Sequence, residues 1–581
     1  MAYKIICTLG KQDIPVIQGQ PDFAVDLLDT NIILFGAPMS GKTNFIRLII
    51  TILHKLYTKN DEQIFILDFG GALTDVENLP LVSAYFDNAN EEYVKRVFKL
   101  LEDQLKINNK KLQGKNFRDV DSERPIHTTL FIDNVNAFLD EPRYSAYHEK
   151  LAKLCRDGRS KGITVILTAS STKGLMSYMP NFKQKIALEM PADSYSEIFS
   201  HGVIPVGSNP GHGYANVTIP PEDTEATFPM QTAYEIQINR SDDVNSEAFR
   251  KNCEKKFGSE IKKKYQRFPD ALTPGNYRDY MNLDADYDDD EEYSDFTACV
   301  GLDYTECREV LADFGLSRIT AIYGKKGFGK TNLLRRILKE LSGKKTGNGK
   351  NFEWNYVFFD DGRKQLEEFY NLYKNPDDGD ETESPRAKYI NFSREEPVLV
   401  TKTGTFENIK LSPIQRFIKY IHEGYMDLTN IKRLSSKVTA EIFGSGYSPV
   451  FREERRNTIF VLQSKFLFVN TMPSLIFMTI ILPLMAARAE EMNWIFIFSD
   501  VRNITESEMK EYFNSNVGTA FLLDNIAEFV GERGIKSVFG QMDVKSLKEE
   551  YARCEEGDGY IYSIEKDELK KLKFIKEEGE N

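Results

Sequence analysis

Two segments of the sequence could bind the phosphates of a nucleotide. Residues 36–43 read GAPMSGKT and residues 324–331 read GKKGFGKT, so both match the pattern GxxxxGK[ST]. In such a loop, glycines let the backbone curl until successive N–H groups point at phosphate oxygens, and the following helix N-terminus adds positive potential. A chance match is expected only about 0.02 times in a chain of this length. Two matches therefore predict nucleotide binding.

The residue types inside these loops predict ATP and Mg²⁺ as the cofactors. A lysine at this position reaches the β- and γ-phosphates, and the threonine hydroxyl holds Mg²⁺. These roles fall to Lys42 and Thr43 in the first loop and to Lys330 and Thr331 in the second. The predicted nucleotide-binding residues are Gly36, Ala37, Pro38, Met39, Ser40, Gly41, Lys42, Thr43, Gly324, Lys325, Lys326, Gly327, Phe328, Gly329, Lys330 and Thr331.

Hydrolysis requires two more groups, and here the sequence is incomplete. An Asp after the third strand holds Mg²⁺, and an acid next to it polarises the attacking water. The first copy has Asp133, predicted to bind Mg²⁺ together with Thr43, but Asn134 stands in place of the acid. The second copy has Gln463 and Ser464. We expect the first copy to bind Mg²⁺–ATP with slow or no hydrolysis. The second copy binds ATP without metal help, or its loop is empty or filled by a peptide element.

Four further residues have two open interpretations. Arg159 and Arg488 precede the fourth strand of each copy, where an arginine of a ring-forming motor can reach across an interface to a transferring phosphate. A surface arginine at a helix end is the alternative for both. Asp68 and Asp360 end the second strands, where they either close the nucleotide pocket or cap the following turn.

The chain contains the same pattern of elements twice. Each GxxxxGK[ST] loop follows an apolar run and opens a helix-like segment, which is the strand–loop–helix unit of nucleotide-binding proteins. Further correspondences pair residues 64–71 with 356–363, 128–140 with 458–470, 158–170 with 487–499, and 211–214 with 557–560. In the first copy we predict strands near residues 31–35, 64–68, 128–133, 163–168, 185–188 and 213–217. Short apolar strands that alternate with helices predict an α/β fold, a mostly parallel sheet covered by helices on both faces.

This repeat predicts the domain organisation. A first P-loop domain is expected at residues 1–268 and a second, degenerate one at residues 297–581. Between them, residues 269–296 form a linker that contains the acidic run DADYDDDEEYSD. A charged, proline-flanked insertion from Asn375 is expected to be a loop or disordered.

Composition excludes several classes of protein. The chain has 581 residues, 41% of them hydrophobic and 28% charged, which is too apolar for a disordered protein. Its net charge of −13 disfavours a surface that mostly wraps nucleic acid. No apolar stretch reaches the roughly 18 residues of a membrane helix, and the start lacks the apolar core of a signal peptide. Six scattered cysteines without CxxC spacing predict neither disulfides nor a zinc site. We therefore expect a soluble protein of a reducing compartment.

The motifs together resemble the FtsK/SpoIIIE-type ATPase superfamily. Within it, they look most like the C-terminal tandem ATPase domains of the EssC family of type VII secretion motors. The resemblance covers almost the whole chain. It runs through GAPMSGKT, FILDFGGAL, LFIDN, GRSKGITVILTAS and NFKQKIAL in the first copy, and through IYGKKGFGKTNLLRRI, ARAEEMNWIFIFSD and the tail from Ser537 in the second.

The resemblance implies RecA/FtsK-like domains and a place in protein secretion. Relatives of this kind carry membrane helices and a first ATPase domain ahead of the tandem pair, so the chain is expected to be a fragment from the cytoplasmic face of the cell membrane. Expected partners are small helical WXG100/ESX-type secreted proteins, held in an apolar groove of an ATPase domain, and other type VII secretion subunits. Full-length motors of this kind are hexamers, and a monomer is possible for the fragment.

Two other functions remain open at this point. A DNA translocase fragment is one, because founding members of the superfamily pump DNA, but the basic stretches 95–115 and 251–267 are interleaved with acids. The other is a nucleotide-free scaffold or substrate-binding module. The lysine and threonine retained in both loops disfavour a scaffold.

Overall fold

The chain divides into two compact units, which are described separately. The computed structural model describes residues 3–87, 91–120, 124–199, 206–207, 209–222, 224–258, 265–282, 294, 296–344, 354–360, 363–374, 387–391, 458–463, 492–498, 516–523, 554, 556–563 and 568–577. Unit 1 comprises residues 1–267, 282–285 and 304–307. Unit 2 comprises residues 268–281, 286–303 and 308–581.

Unit 1 is built on one ten-stranded sheet. Its strands are β1 (Ile6–Gln12), β2 (Asp22–Asp26), β3 (Ile32–Phe35), β4 (Glu62–Asp68), β5 (Val82–Asp87), β6 (His127–Asp133), β7 (Ile163–Ala169), β8 (Gln184–Ala187), β9 (His212–Asn216) and β10 (Ala233–Ile238). They lie in the order β2-β1-β10-β9-β8-β3-β7-β6-β4-β5. The six strands from β8 to β5 are parallel, and the other four extend the sheet antiparallel.

Helices cover both faces of this sheet. They are α1 (Lys42–Leu56), α2 (Glu91–Leu112), α3 (Val135–Asp140), α4 (Ser145–Asp157), α5 (Ala192–Ile198) and α6 (Glu247–Phe257). Strand side chains alternate between faces, so Ile32 and Leu34 share a core with the apolar stripe of α1. Helices α2 and α4 contact each other and pack on β5 and β7. Because parallel strands buried on both faces lack polar alternation, β3 reads as the continuous apolar run IILF.

Unit 2 has a sheet with the same strand order. Its elements are β11 (Thr297–Asp303), β12 (Glu309–Asp313), β13 (Ile319–Tyr323), α7 (Lys330–Ser342), β14 (Asn355–Asp360), α8 (Glu367–Tyr373), β15 (Ala387–Asn391), β16 (Thr458–Gln463), β17 (Met492–Phe498), β18 (Thr519–Leu522), β19 (Asp558–Ser563) and β20 (Glu568–Phe574). The order β12-β11-β20-β19-β18-β13-β17-β16-β14-β15 repeats unit 1 strand for strand. The predicted duplication and α/β class are therefore confirmed.

Several sequence expectations are refined or fall outside the described residues. Helix α6 ends at Phe257, and Gly258 follows with a φ of 88°. Most of the acidic run, the insertion after Asn375, and most of the tail from Ser537 lie outside the described residues. Within the part of the chain that the structure describes, no helix is both long and apolar enough to cross a membrane.

Candidate functional site

The first GxxxxGK[ST] loop joins the central strand β3 to helix α1. The backbone N–H groups of its first two residues donate to the carbonyls of Ala169 at 3.1 Å and Glu189 at 2.7 Å, which fixes the loop to the ends of neighbouring segments. Met39 and Gly41 have φ values of 66° and 113°. These left-handed residues turn the chain sharply before α1 begins at Lys42. The carboxyl ends of the parallel strands therefore present a curled loop at a helix N-terminus.

The Lys42 amine lies within the curl of its own loop. Its Nζ donates to the Gly36 carbonyl at 2.5 Å and to the Ala37 carbonyl at 2.9 Å. Partial burial lowers the Lys42 pKa, and the negative charge of Asp133 opposes that shift. The Lys42 ammonium group thus lies at the centre of the loop, close enough to Asp133 for the two charges to interact.

A turn of unit 1 supports the loop. The Gly211 N–H donates to the Ser40 carbonyl at 2.8 Å, and Gly211 itself accepts a hydrogen bond from the Ile238 N–H at 2.9 Å. A Cβ atom on Gly41 would lie 2.9 Å from the Gly211 nitrogen, so only glycine allows this approach. The GHGY segment of the sequence therefore connects the phosphate loop to strands β9 and β10.

Asp133 ends β6 beside this loop and is 4% exposed. Its Oδ1 accepts a hydrogen bond from the Thr168 hydroxyl of the neighbouring strand β7. Its Oδ2 adjoins Gly70, where any Cβ atom would overlap it. Burial raises the Asp133 pKa and nearby Asp68 adds to this, whereas Thr168 and Lys42 lower it. A buried carboxylate of this kind is stabilised in its charged form by a bound cation.

Asn134, directly after Asp133, occupies the position before helix α3 in a left-handed conformation with φ 56° and ψ 58°. Its backbone N–H donates to the Thr168 hydroxyl oxygen at 2.9 Å. Asn and Asp adopt this conformation more readily than other side chains that have a Cβ atom. The identity of residue 134 is therefore constrained by the backbone as well as by its chemistry.

Asp68 and Asp360 cap the segments that follow their strands. Both Asp68 oxygens accept backbone N–H groups, among them those of Gly71 at 2.7 Å and Leu73 at 2.8 Å. The Asp360 carboxylate accepts the N–H groups of Lys364 at 2.9 Å and Leu366 at 2.8 Å. Of the two interpretations left open by the sequence, the structure supports capping.

Arg159 lies at the amino ends of the parallel strands, whereas the phosphate loop lies at their carboxyl ends. It begins a single helical turn, Arg159–Lys161, directly before β7. The loop adjoins the other end of β7, about 20 Å away at 3.3 Å per residue. The Nη1 of Arg159 donates to the Asp29 carbonyl at 2.8 Å. Arg159 therefore does not reach the loop of its own unit, and a role across an interface stays a prediction. Arg488 lies outside the described residues.

The second loop, Gly324–Gly329, repeats the backbone arrangement of the first. Gly327 and Gly329 have φ values of 94° and 87°. The Lys330 Nζ donates to the carbonyls of Gly324 and, at 2.7 Å, Lys325. Gly324 N–H donates to the Phe498 carbonyl at 3.2 Å, as Gly36 does to Ala169. The cationic, curled loop is therefore present in both units.

The two units differ at the position of Asp133, the carboxylate predicted to bind Mg²⁺. Gln463 ends β16 as Asp133 ends β6, and its Nε2 donates to the Gln365 Oε1 at 3.0 Å. An amide at this position supplies no negative charge for a divalent cation. Ser464 lies outside the described residues.

The residues of unit 1 are compatible with a nucleotide and Mg²⁺. The buried Ser40 hydroxyl has no hydrogen-bond partner among the described residues, inside a loop whose backbone could bind phosphate. Asp133 is the buried carboxylate next to that loop. Lys42 would hold phosphates, and Thr43 with Asp133 would hold the metal. Unit 2 offers the lysine and threonine without the carboxylate.

Sequence reasoning missed three residues at this site. Thr168 and Gly70 contact the Asp133 carboxylate. Asn44, two residues after Lys42, binds the segment after β10 through its side chain. For Asn44 a signal existed, because both loops continue as KTN. The other two depend on which residues face each other across the sheet, which the sequence does not reveal.

Known proteins resemble this chain in sequence and in fold. Residues 4–204 match the model of the FtsK/SpoIIIE family. Type VII secretion system protein EssC of Staphylococcus aureus (strain NCTC 8325 / PS 47) is 27% identical over 196 residues, 32% of this chain and 13% of that protein. ESX secretion system protein EccC of Geobacillus thermodenitrificans is 25% identical over 348 residues, 57% of this chain and 22% of that protein. The matched part of the chain thus spans a small share of these relatives.

Two solved structures resemble the complete tandem. EssC (ATPases 2 and 3) from Geobacillus thermodenitrificans superposes with a TM-score of 0.61 at 17% identity, over 98% of this chain and 96% of that one. EccC (ATPases 2 and 3) of Thermomonospora curvata, in complex with a signal sequence peptide, gives 0.55 at 16% identity, over 99% and 93%. The chain therefore has the fold of these two structures, a P-loop NTPase-like α/β fold present twice.

Proposed function

Residues 4–204 carry an FtsK/SpoIIIE-family domain, and on that premise we propose that the chain is the tandem ATPase part of a type VII protein secretion motor. Unit 1 binds ATP with Mg²⁺ and hydrolyses it slowly or not at all. Unit 2 binds ATP without a protein carboxylate for the metal. The pair regulates export rather than driving it alone.

One observation carries the ATP-binding part of this proposal. The Lys42 amine is held inside a curled loop at a helix N-terminus, and the buried Asp133 carboxylate is its electrostatic partner. Lysine, loop N–H groups and helix N-terminus all favour phosphate oxygens. Bound Mg²⁺ would neutralise charge on the phosphates. The lysine and the backbone N–H groups would orient the triphosphate, and Asn134 would orient a water without accepting its proton.

The secretion part of the proposal is supported by the relatives. The solved relative from Thermomonospora curvata contains a signal sequence peptide, so a polypeptide is the class of substrate we propose for this chain. Small helical proteins of the WXG100/ESX type, together with other type VII secretion subunits, are the proposed partners. We place the chain at the cytoplasmic face of the membrane, because another solved relative is the cytoplasmic domain of EssC. Hexamers are proposed for the assembled motor.

Titration with a fluorescent ATP analogue in the presence of Mg²⁺ tests the nucleotide sites. The wild-type chain is expected to bind two analogues. Lys42→Ala and Lys330→Ala should each lose one site, and the double variant should lose both, because each lysine supplies the central cation of its loop. Full binding by the double variant, or no binding by the wild type, would contradict the proposal. The second result would leave a nucleotide-free scaffold.

A further inference from the structure

We infer that Thr168 is the positioning residue for Asp133 in the Mg²⁺–nucleotide site of unit 1. This inference rests on the proposed function and identifies what orients the carboxylate. Thr168 lies on strand β7, outside both the phosphate loop and the Asp133–Asn134 pair.

The Thr168 hydroxyl bridges the two residues that follow strand β6. Its O–H donates to Asp133 Oδ1, and its oxygen accepts the Asn134 N–H at 2.9 Å. A hydroxyl has one hydrogen to donate. Because that hydrogen goes to the carboxylate, Asp133 Oδ1 is held towards strand β7. Thr168 is fully buried, so water does not compete for these bonds.

The second carboxylate oxygen is confined by Gly70. A Cβ atom at this position would overlap Asp133 Oδ2. The Phe69 N–H donates to the Asp133 carbonyl at 3.1 Å, so the segment after β4 is tied to the end of β6. Thr168 therefore holds one oxygen while the missing side chain of Gly70 leaves space at the other. The carboxylate has a fixed orientation.

Unit 2 has neither a carboxylate at the position of Asp133 nor a hydroxyl at the position of Thr168. In unit 1, Thr168 pairs with Leu34, which lies two residues before the first loop. In unit 2, the residue two positions before the loop is Ile322, and it pairs with Ile497. Ile497 is therefore the counterpart of Thr168. The neighbouring strand pairs Gln463 with Ile497. The counterparts of Asp133 and Thr168 in unit 2 are thus Gln463, which has a neutral amide, and Ile497, which has an apolar side chain.

A binding ratio isolates the effect on the metal. We define the Mg²⁺ ratio as the Kd for the fluorescent ATP analogue in EDTA divided by the Kd in Mg²⁺, measured in the Lys330→Ala chain so that only the first loop binds. Thr168→Val keeps the shape of the side chain and removes the hydroxyl. We expect it to lower the ratio roughly tenfold, because it removes a hydrogen bond to a charged group. Thr168→Ser should keep the ratio of the parent chain.

A double-mutant cycle separates positioning from a merely structural role. In an Asp133→Asn background, Thr168→Val should leave the ratio unchanged, since the carboxylate it orients is gone. An unchanged ratio for Thr168→Val alone would overturn the inference. So would an equal loss in the Asp133→Asn background, or a loss for Thr168→Ser as large as that for Thr168→Val. A parent chain that binds the analogue with a ratio of one would contradict the proposed function itself, and the inference with it.

Discussion

Asn44 and Asn332 make the same two hydrogen bonds in the two units. The Nδ2 of Asn44 donates to the Asn239 carbonyl at 2.9 Å, and its Oδ1 accepts the Ser241 N–H at 2.9 Å. Asn332 binds the Ile575 carbonyl at 3.0 Å and the Glu577 N–H at 2.9 Å in the same way. In each unit, the first turn of the helix after the loop is therefore tied to the segment that follows the last strand of the sheet.

Removing this connection should weaken nucleotide binding without removing any group that contacts phosphate. Asn44→Ala in the Lys330→Ala chain is expected to raise the Kd for the ATP analogue several-fold, because each lost hydrogen bond is worth about 1 kcal/mol and the loop becomes less ordered. The measurement is the same fluorescence titration. Asn332→Ala is the matched control, since it should leave the first site unaltered. Equal effects of the two variants on the first site would contradict a connection within each unit.

Asn134→Asp should increase ATP hydrolysis. Asparagine can orient a water but cannot accept its proton, and general-base catalysis contributes about 100-fold or more. Aspartate also adopts the left-handed backbone at this position better than glutamate. Phosphate release in the presence of Mg²⁺ measures the gain. The triple variant Asn134→Asp, Lys42→Ala, Lys330→Ala should show none. If Asn134→Asp binds the analogue normally and releases phosphate no faster than the wild type, residue 134 is not the limiting group.

His54 should make unit 1 less stable at acidic pH. Burial lowers the pKa of His54 from 6.5 to about 4, and nearby Lys256 adds to this, whereas a hydrogen bond to the Ile50 carbonyl opposes it. Since Nδ1 donates to Ile50, Nε2 is the nitrogen that accepts the Leu81 N–H at 3.0 Å. The unfolded chain therefore takes up a proton between pH 6.5 and 4 that the folded chain does not bind. The free energy of unfolding falls as pH decreases through that window.

The expected loss is about 2 kcal/mol between pH 7 and pH 5. Urea unfolding followed by circular dichroism measures it at the two pH values. The His54→Gln variant cannot take up this proton. Its free energy of unfolding should therefore fall by about 2 kcal/mol less than that of the wild type between pH 7 and pH 5, whatever its stability at pH 7. The same pH dependence in the variant and the wild type would show that His54 is not the responsible group.

Glu577 forms a buried ionic contact that unit 1 lacks. Its carboxylate accepts hydrogen bonds from Arg336 at 2.7 Å and Lys339 at 2.9 Å, both on helix α7. Burial alone would raise the Glu577 pKa, but these two cations lower it below its ordinary value. The corresponding residues of unit 1, 288 positions earlier on α1, are Leu48 and Thr51. In unit 2, charge thus reinforces the connection that Asn332 makes to the same segment.

Glu577→Ala should destabilise unit 2 by about 3 kcal/mol, because it leaves the buried Arg336 without this carboxylate. Both tryptophans, Trp354 and Trp494, belong to unit 2, so urea unfolding followed by tryptophan fluorescence reports on this unit alone. Glu568→Gln is the control, since the Glu568–Lys570 pair is exposed and worth less than about 1 kcal/mol. Similar losses in the two variants would contradict a special role for the Glu577 contact.

The parts of the fold that the sequence predicted are those with a strong local pattern. Strand β7, ITVILTA, is apolar on both faces and was expected near residues 163–168. Strand β1, ICTLGKQ, is not among the predicted strands, because Gly10 and Lys11 interrupt its apolar residues in the sequence. Strands β2, β5 and β10 were missed as well. The five central parallel strands and the antiparallel strand β9 are therefore predictable, whereas the parallel edge strand β5 and the other three antiparallel strands are not.

The candidate site divides in the same way. The glycines and Lys42 act within one continuous loop, so their spacing along the chain reveals them. Thr168 and Asp133 are 35 residues apart, and they meet only because β6 and β7 are neighbouring parallel strands in one register. Asp68 has the right residue type for a nucleotide site, yet its oxygens are engaged by backbone N–H groups. Residue type alone does not separate these two aspartates.

The central claim is that the two loops bind nucleotide with different dependence on the metal. The most direct test compares the Mg²⁺ ratio of the Lys330→Ala chain, where unit 1 binds, with that of the Lys42→Ala chain, where unit 2 binds. Strand β6 of unit 1 ends in the Asp133 carboxylate, whereas strand β16 of unit 2 ends in Gln463. We therefore predict a ratio of at least about ten for unit 1 and a ratio near one for unit 2. Equal ratios at the two sites, or a larger ratio for unit 2, would contradict the claim.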